Sequence, residues 1–482
     1  MQSTATTPLV VDLDGTLTPT DTLVESVVHL VKIAPLSAMR IPFWLLKGRA
    51  EFKEAVAHHS KFSTRNLPFR EPLVEYLHEE KARGRRIILA TAAHRSIADR
   101  VAEQLGLFDE VLATSEGVNL KGKNKLDLIQ ARFGQDFVYA GDSPADIPIW
   151  NASKAAVLVG VSNDVASRVR KRVPIEKEFA RESVGLGIWL QALRPHQWIK
   201  NLLLLVPLLT AFRIFDLVAW MQFLPAFSAF SLAASATYMV NDLWDLENDR
   251  RHPRKKFRPF ASGRLPILQG IAVAAFLLAV ALALAISISL PFFLVLVTYL
   301  ALTSAYSWVL KQYALVDVVT LSVLYTLRII AGSVDIGIVV STWLLAFSVF
   351  IFLSLALVKR CAELVAIAQS GGEAIRGRDY RVKDLEVLWP LGIGSALSAV
   401  VVFGLYIQST ETVDRYASPG LLWLVAICLI YWIARLWIKT SRGEMHDDPV
   451  VYAIENRGSL ITVLTMVCLM IAAHFVTLPD YL

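Results

Sequence analysis

From about Ile199 onward the chain repeats apolar runs of roughly 18 to 22 residues, separated by short charged connections. Runs of that length with few charges are what α-helices need to cross the ~30 Å hydrocarbon core of a bilayer. A chain holding several of them has to fold as a helical bundle, because each helix satisfies its own backbone hydrogen bonds in lipid. Nine runs can be drawn, at about 199–217, 220–241, 266–287, 290–309, 315–335, 341–358, 388–408, 420–438 and 459–478. The hydrophobic share of 55% over 482 residues reflects them, whereas the amino-terminal third reads as an ordinary soluble domain. The expectation is an α/β soluble domain with a parallel sheet and a small helical cap over 1–175, a charged linker over 176–193, and an all-α membrane domain of nine transmembrane helices over 194–482.

The connections after the second, fourth, sixth and eighth runs hold most of the Lys and Arg. The positive-inside rule puts those exits in the cytoplasm, and with them the soluble domain. The opening "MQSTATTPLVVDLDGTL" lacks the basic and apolar regions of a signal peptide, which agrees with a cytoplasmic domain on an inner (plasma) membrane protein. A net charge of +6 fits that loop bias, so no nucleic-acid partner is expected. Cys361, Cys428 and Cys468 are too widely spaced for a zinc site or a disulfide framework.

In the soluble part, "PLVVDLDGTL", "RRIILATAAH", "DFVYAGDSPADI" and "AAVLVG" are apolar strands ending in polar loops, with amphipathic stretches between them. Strand–helix alternation predicts a parallel sheet, whose ligands bind beyond the carboxyl ends of the strands. Asp12, Asp14, Thr91, a lysine of "KGKNK", Asp142 and Asp146 should converge there. The set suits phosphate-ester hydrolysis. Asp12 would attack phosphorus, Asp14 would shuttle the leaving-group proton, and Thr91 with the lysine would hold phosphate oxygens. Asp12, Asp142 and the backbone carbonyl of Asp14 would hold Mg²⁺. These four elements in order resemble the haloacid dehalogenase (HAD) superfamily over about residues 8–172, with the helical insert at about 21–72 as its cap. The resemblance implies Lys125 as the site lysine, with Lys123 the alternative.

The second apolar run exits into "NDLWDLENDRRHPRKKFRPFASG". Asn241, Asp245 and Asp249 recur at i, i+4 and i+8 on one helical face, with Asp242 on the flank. Like charges at that spacing repel, so the face calls for a cation, and Mg²⁺ shared with a substrate diphosphate supplies one. The bases that follow, Arg254, Lys255, Lys256 and Arg258, can hold phosphates beyond the metal. Further on, "YSWVLKQYALVDVVTLSVLYTLRIIAG" puts Tyr306 and Lys311 at a helix exit and Asp317 and Arg328 inside the next helix. Arg328 reads either as a functional intramembrane charge or as a structural ion-pair partner. The later charges, Arg360, Glu363, Arg378, Arg381, Asp447, Asp448 and Arg457, read as solvated loops.

Nine helices with "NDxxDxxxD" after the second resemble the UbiA superfamily of intramembrane prenyltransferases over about residues 190–480. The second aspartate motif of ordinary members, often DxxxD, is missing, since Leu321 stands four residues after Asp317. "RPHQWIKN", "NDLWDLENDRRHPRKKFRPFASG", "YSWVLK" and "DDPV" are similar instead to the decaprenyl-phosphate phosphoribosyltransferase branch. That resemblance implies 5-phosphoribosyl diphosphate (PRPP) as donor, a polyprenyl phosphate as acceptor and Mg²⁺ as cofactor. Asn241, Asp242, Asp245 and Asp249 would hold metal and diphosphate. Lys200, Asn201, Arg254, Lys255, Lys256, Arg258, Tyr306, Lys311, Asp317 and Arg328 would contact substrate. The product would carry a 5′-phosphate monoester, and its chemical fit to a fused HAD-like domain gives the expectation that this domain removes that phosphate. The competing expectations are an ordinary prenyltransferase with an aromatic or other acceptor, and a transporter with a regulatory soluble domain. A homo-oligomer is compatible with the sequence.

Overall fold

Short apolar runs near the amino terminus pair into one parallel sheet. Its strands are β1 (Leu9–Val11), β2 (Ile87–His94), β3 (Glu110–Thr114), β4 (Val138–Gly141), β5 (Ala155–Val159) and β6 (Ile175–Phe179), in the order β3-β2-β1-β4-β5-β6. A computed structural model of the chain describes residues 7–115, 119–181, 184–339, 341–375, 377–445 and 449–477. They form two compact units, the residues up to Leu193 with Tyr238–Ala275, and Arg194–Thr237 with Phe276–Leu482.

In the first unit the strands are apolar on successive residues because both sheet faces are covered. Leu9, Val11, Ile87 and Leu89 face α5 (Glu71–Ala82) and α6 (Arg95–Leu105). Val10, Ile88, Tyr139 and Leu158 face α7 (Lys123–Phe133), α8 (Ile147–Ala152) and α9 (Asn163–Arg170). The insert after β1 is the expected helical cap: α1 (Thr22–Ile33), α2 (Pro35–Ala38), α3 (Ile41–Leu46) and α4 (Arg49–Ser60). The expected linker needs correction, because its first residues are edge strand β6. Their charge has a structural partner. Glu176 accepts from the Tyr76 hydroxyl at 2.5 Å and from the buried Arg85 at 2.5 Å.

Eight helices are long and apolar enough to span a membrane among the described residues: Leu217–Trp244, Ile267–Ile288, Leu290–Trp308, Val316–Asp335, Thr342–Gln369, Val382–Ile407, Pro419–Ser441 and Arg457–Phe475. The ninth expected span, 199–217, is instead a 3₁₀ helix, Pro195–Leu205, followed by the short α-helix Val206–Thr210. Pro207 stands in the first turn of that short α-helix, where its missing N–H would have no intrahelical partner, and so suits the start of an α-helix there. In the second unit, Val316–Asp335 packs between Leu290–Trp308 and Thr342–Gln369, and it is the most buried of the spans. Gly332 lies against the backbone of Leu204, where a Cβ would stand 2.1 Å from the Leu204 carbonyl oxygen.

Candidate active sites

The cleft of the first unit opens at the carboxyl ends of β1, β2 and β4, with a volume of about 310 Å³. Its position follows from the sheet, since each strand ends and its polar loop begins on the same side. Asp12 is the first residue after β1, and its N–H donates to Ala140 O at 3.0 Å. Its carboxylate pairs with Lys125 Nζ at 2.7 Å and accepts from Leu13 N at 2.8 Å. Lys125, not Lys123, is therefore the lysine of the site. It also donates to the Tyr139 hydroxyl at 3.1 Å, which in turn donates to Asp146 at 2.9 Å. Asp142 accepts from Thr16 Oγ1 at 3.1 Å. One oxygen each of Asp12, Asp142 and Asp146 lies within 4.8 Å of the others, a hard oxygen donor set that fits Mg²⁺. Asp146 is also held by Ser143 Oγ at 3.0 Å and Ser143 N at 3.1 Å, so Asp12 and Asp142 are the freer donors.

Asp14 Oδ1 accepts from Thr22 N, the first N–H of α1, at 2.8 Å, while Asp21 is the N-cap of that helix. Thr91 does not reach the cleft. It is fully buried, its hydroxyl accepts from Ala93 N at 3.0 Å, and the cleft lining from β2 is Ala92, Ala93 and His94. The strand continues past Thr91, which turns its side chain inward. Sequence reading missed Lys53 of α4, which lines the cleft and donates to Ala92 O at 2.6 Å and Asn119 at 2.8 Å. No motif marks it, because the cap folds it in from outside the strand ends. Burial is the main electrostatic fact of the cleft. It pushes Asp14 up to about 7, helped by nearby Asp21, and Asp142 up to about 7, helped by Asp146 and Asp12. Burial also raises Asp12, against the pull of Lys125, and lowers Lys53.

The aspartate-rich segment belongs to the same compact unit. The spanning helix ends at Trp244, the backbone breaks at Asp245, and a short helix, Leu246–Arg251, follows. Asp245 N still donates to Asn241 O and Asp249 N to Asp245 O, so the i, i+4, i+8 progression is carried across the break. Asp242 and Asp249 are buried and joined by one guanidinium, with Arg258 Nη1 at 3.2 Å from Asp242 and 2.7 Å from Asp249. Among the described residues, Asp242, Asp245 and Asp249 do not form a second close carboxylate group. Arg258 occupies the position between acids that had been expected for a metal. Arg254, Lys255 and Lys256 are exposed on the turn that follows.

Helix α1 packs against this segment through Glu25, His29 and Lys32, at i, i+4 and i+7. Arg250 Nη1 and Nη2 donate to the two Glu25 oxygens at 2.7 and 2.6 Å, with both side chains buried. His29 meets Glu247 at 3.1 Å, and Lys32 Nζ donates to Trp244 O at 2.8 Å. Nothing in the sequence announced these pairs, which join residues more than 200 positions apart.

In the second unit, Arg328 is buried and held by neutral groups. Its Nε donates to Asn201 at 3.0 Å, Nη1 to Leu324 O at 2.7 Å and Nη2 to the Tyr299 hydroxyl at 2.9 Å. Asn201 is fixed in turn by Ser231 at 3.1 Å, and Lys200 is buried beside it in the chain. Asp317 is fully enclosed by Arg360 at 2.5 Å, Arg378 at 3.2 Å and the Tyr380 hydroxyl at 2.5 Å. Arg360 extends to Glu363 at 2.5 Å and to the Tyr306 hydroxyl at 3.2 Å. This corrects two expectations. Asp317 is a charge-balanced structural group and not an open substrate contact, and Arg360 is buried and not in a solvated loop. The helix bearing Arg360 runs on to Gln369, well past the expected end of the apolar run. Lys311 is half-buried at its helix exit. Asp447 and Asp448 lie outside the described residues.

A model of the UbiA prenyltransferase family matches residues 203–371, and one of haloacid dehalogenase-like hydrolases matches residues 9–150. Protein y4nM of Sinorhizobium fredii is 39% identical over 459 residues, which is 94% of this chain and 88% of that protein. The chain belongs to the UbiA prenyltransferase family. Here the UbiA part is preceded by a HAD-like hydrolase domain, and both matched families indicate an enzyme. The decaprenyl-phosphate phosphoribosyltransferase of Mycobacterium tuberculosis is 40% identical over 274 residues, 55% of this chain and 87% of that one. The nodulation protein NoeC of Azorhizobium caulinodans is 35% identical over 288 residues, 60% of this chain and 93% of that one. A solved UbiA homolog from Archaeoglobus fulgidus, bound to GPP and Mg²⁺, covers 60% of this chain and all of its own length, with a TM-score of 0.45 and 17% identity. With its eight apolar helices, this UbiA-family chain is a multi-pass membrane protein.

Proposed function

We propose that the UbiA part transfers 5-phosphoribose from PRPP to a polyprenyl phosphate, and that the HAD-like domain then removes the 5′-phosphate. The observation that carries the reading is the match at 40% identity over 87% of a decaprenyl-phosphate phosphoribosyltransferase, in a chain that also holds an acidic cleft with Asp12, Asp14, Lys125 and Asp142 in its lining. In the first step an oxygen of the lipid phosphate attacks the anomeric carbon of PRPP, and the bond to pyrophosphate breaks. Mg²⁺ supplies charge neutralisation for the diphosphate and its leaving group. Asn241, Asp242, Asp245 and Asp249 hold that end of the donor. The same acids would hold the metal. Arg258, which now pairs with Asp242 and Asp249, is placed beside the diphosphate, and exposed Arg254, Lys255 and Lys256 would hold the remaining phosphates. Arg328 keeps its charge for an anionic group because its partners are neutral.

In the second step Asp12 attacks the phosphorus of the 5′-phosphate, and the ribose oxygen leaves with a proton from Asp14. Water then attacks the aspartyl phosphate, Asp14 takes the water proton, and inorganic phosphate departs. Lys125 orients Asp12 and holds a phosphate oxygen. On this reading the chain works in an inner (plasma) membrane, with the HAD-like domain on the cytoplasmic side, which the loop charges and a water-soluble donor both support.

The test is to incubate the purified chain with PRPP, Mg²⁺ and a polyprenyl phosphate and to weigh the lipids by mass spectrometry. The expected wild-type product is the ribosyl lipid, and Asp12→Asn should stop at the phosphoribosyl lipid. A product from a prenyl diphosphate and an aromatic acceptor, with none from PRPP, would sink the reading.

A further inference from the structure

The cap of the phosphatase unit carries an apolar surface that its cleft does not use. Between Thr7 and Arg181, every exposed large apolar side chain among the described residues falls within positions 31–46. Leu36 is 80% exposed, Met39 78% and Leu46 86%, and Ile33, Phe43 and Leu45 are exposed as well. A water-facing domain has no reason to gather these on two short helices, since each leaves apolar area in contact with solvent. The same stretch has the opposite character in its charges. Residues 31–49 contain Lys32, Arg40, Lys47 and Arg49 and no Asp or Glu. Arg40, Lys47 and Arg49 are exposed, flanking the apolar side chains. An apolar tip between bases matches the boundary between acyl chains and anionic headgroups.

Position argues for the same occupant. Lys32, immediately before the patch, donates to the carbonyl of Trp244 at 2.8 Å. Trp244 is the last residue of a helix long and apolar enough to span a membrane, so its carbonyl lies on the side of the bilayer where that helix exits. The chain therefore enters α2 and α3 on that side of the membrane. We infer that α2 and α3 form a hairpin that lies in the interfacial layer of an anionic bilayer, with Leu36, Met39, Phe43, Leu45 and Leu46 below the headgroups. The hairpin joins the two helices that wall the cleft. Thr22, Leu23 and Ser26 of α1 and Lys53, Val56 and Ala57 of α4 all line it. Anchoring between those walls holds the cleft against the membrane surface, where it meets phosphate esters borne on lipid before soluble ones. The anchor itself does not depend on which ester is cleaved, whereas this preference for lipid-borne esters rests on the proposed phosphatase activity.

The experiment uses the full chain with Cys428→Ser and Cys468→Ser, leaving buried Cys361. An NBD fluorophore is placed on Leu36→Cys, on Leu46→Cys or, as the control on an exposed helix of the same unit, on Glu79→Cys. Each is reconstituted in phosphatidylcholine vesicles containing phosphatidylglycerol and doxyl-labelled lipid. Labels at 36 and 46 are expected to be quenched by the nitroxide at least about threefold more than the label at 79. Omitting phosphatidylglycerol, or changing Arg40, Lys47 and Arg49 to Gln, is expected to lower that quenching about twofold. Equal quenching at 46 and 79 overturns the inference. Shielding of the labels from both the doxyl lipid and aqueous iodide also overturns it, because a protein surface would then cover the hairpin. Quenching is read without turnover, so an inactive phosphatase would refute the proposed activity and leave this result standing.

Discussion

Gly15 shows how little room the phosphatase loop leaves. Its φ is +79°, and a Cβ there would stand 2.3 Å from an Asp142 oxygen. Gly15→Ala should therefore cost roughly 1–2 kcal/mol in backbone strain and push Asp142 off its position, weakening Mg²⁺ binding. Calorimetric titration with Mg²⁺ checks this, and wild-type affinity in the variant would refute it. The glycine of "DLDGT" was legible as a turn, but its contact with a residue far along the chain was not. The carboxylates carry a pH prediction. Asp14 and Asp142 both rise to about 7 in the fold from a usual value of 3.8. The folded state thus binds more protons than the unfolded state between those values. Without metal, stability should be greatest at the acid end of that window, fall as pH rises toward 7, and level off above it. Mg²⁺ binds the deprotonated carboxylates, so it should stabilise more at pH 8 than at pH 6. Melting curves in EDTA and in Mg²⁺ test both signs. A melting temperature in EDTA that climbs from pH 6 to pH 8 would contradict them. At this scale Asp12 and Asp142 could be read from strand ends, whereas Lys125 rests on the family resemblance, which leaves Lys123 open. Thr91 could not be read so, because its side-chain direction depends on where β2 actually stops.

At the scale of elements, apolar run length predicts most of the spans, including Leu217–Trp244, which runs through Pro225, but does not tell an α-helix from the 3₁₀ helix at Pro195–Leu205. It also hides buried charge. Arg360 follows an apolar run, so it looks like a loop residue until Asp317 and Tyr306 are seen to receive it. Helix α1 is the clearest case of an element with two tasks. Its first N–H, on Thr22, donates to Asp14, while Glu25, His29 and Lys32 hold the aspartate-rich segment. Removing one partner of the buried Glu25–Arg250 pair leaves the other charge without compensation, so Glu25→Ala should destabilise this unit by about 3 kcal/mol. His29→Ala removes a contact at the rim of the interface and should cost under about 1 kcal/mol. Hydrogen exchange of segment 244–251 separates this from a general loss of stability. In Glu25→Ala the segment should exchange faster while β1 and β4 keep their protection. Uniform loss across the sheet would show that the pair supports the whole unit and not this junction.

For the whole molecule, the consequence of fusing the two proposed activities can be measured. A short covalent connection replaces a bimolecular encounter by an effective concentration in the millimolar range. The phosphoribosyl lipid released by one site would then meet the phosphatase of its own chain before that of another. Two disabled chains make the comparison. Asp245→Asn lacks a donor-site acid but keeps the phosphatase cleft, and Asp12→Asn lacks the nucleophile but keeps the transferase. In vesicles holding both variants, every intermediate has to leave one chain and find a second. The peak level of phosphorylated intermediate should be about tenfold higher than in vesicles of wild-type chain at equal transferase turnover. Placing the two variants in separate vesicles should block conversion, because a polyprenyl chain does not cross water between bilayers at a useful rate. Lateral diffusion supplies the opposing expectation. If mixed variants clear the intermediate as fast as wild type, movement within the bilayer already outpaces hydrolysis, and fusion confers no kinetic advantage. Diluting the protein in lipid tells the two apart. Conversion by wild type should be independent of the lipid-to-protein ratio, and conversion by the mixture should fall as the chains are spread further apart.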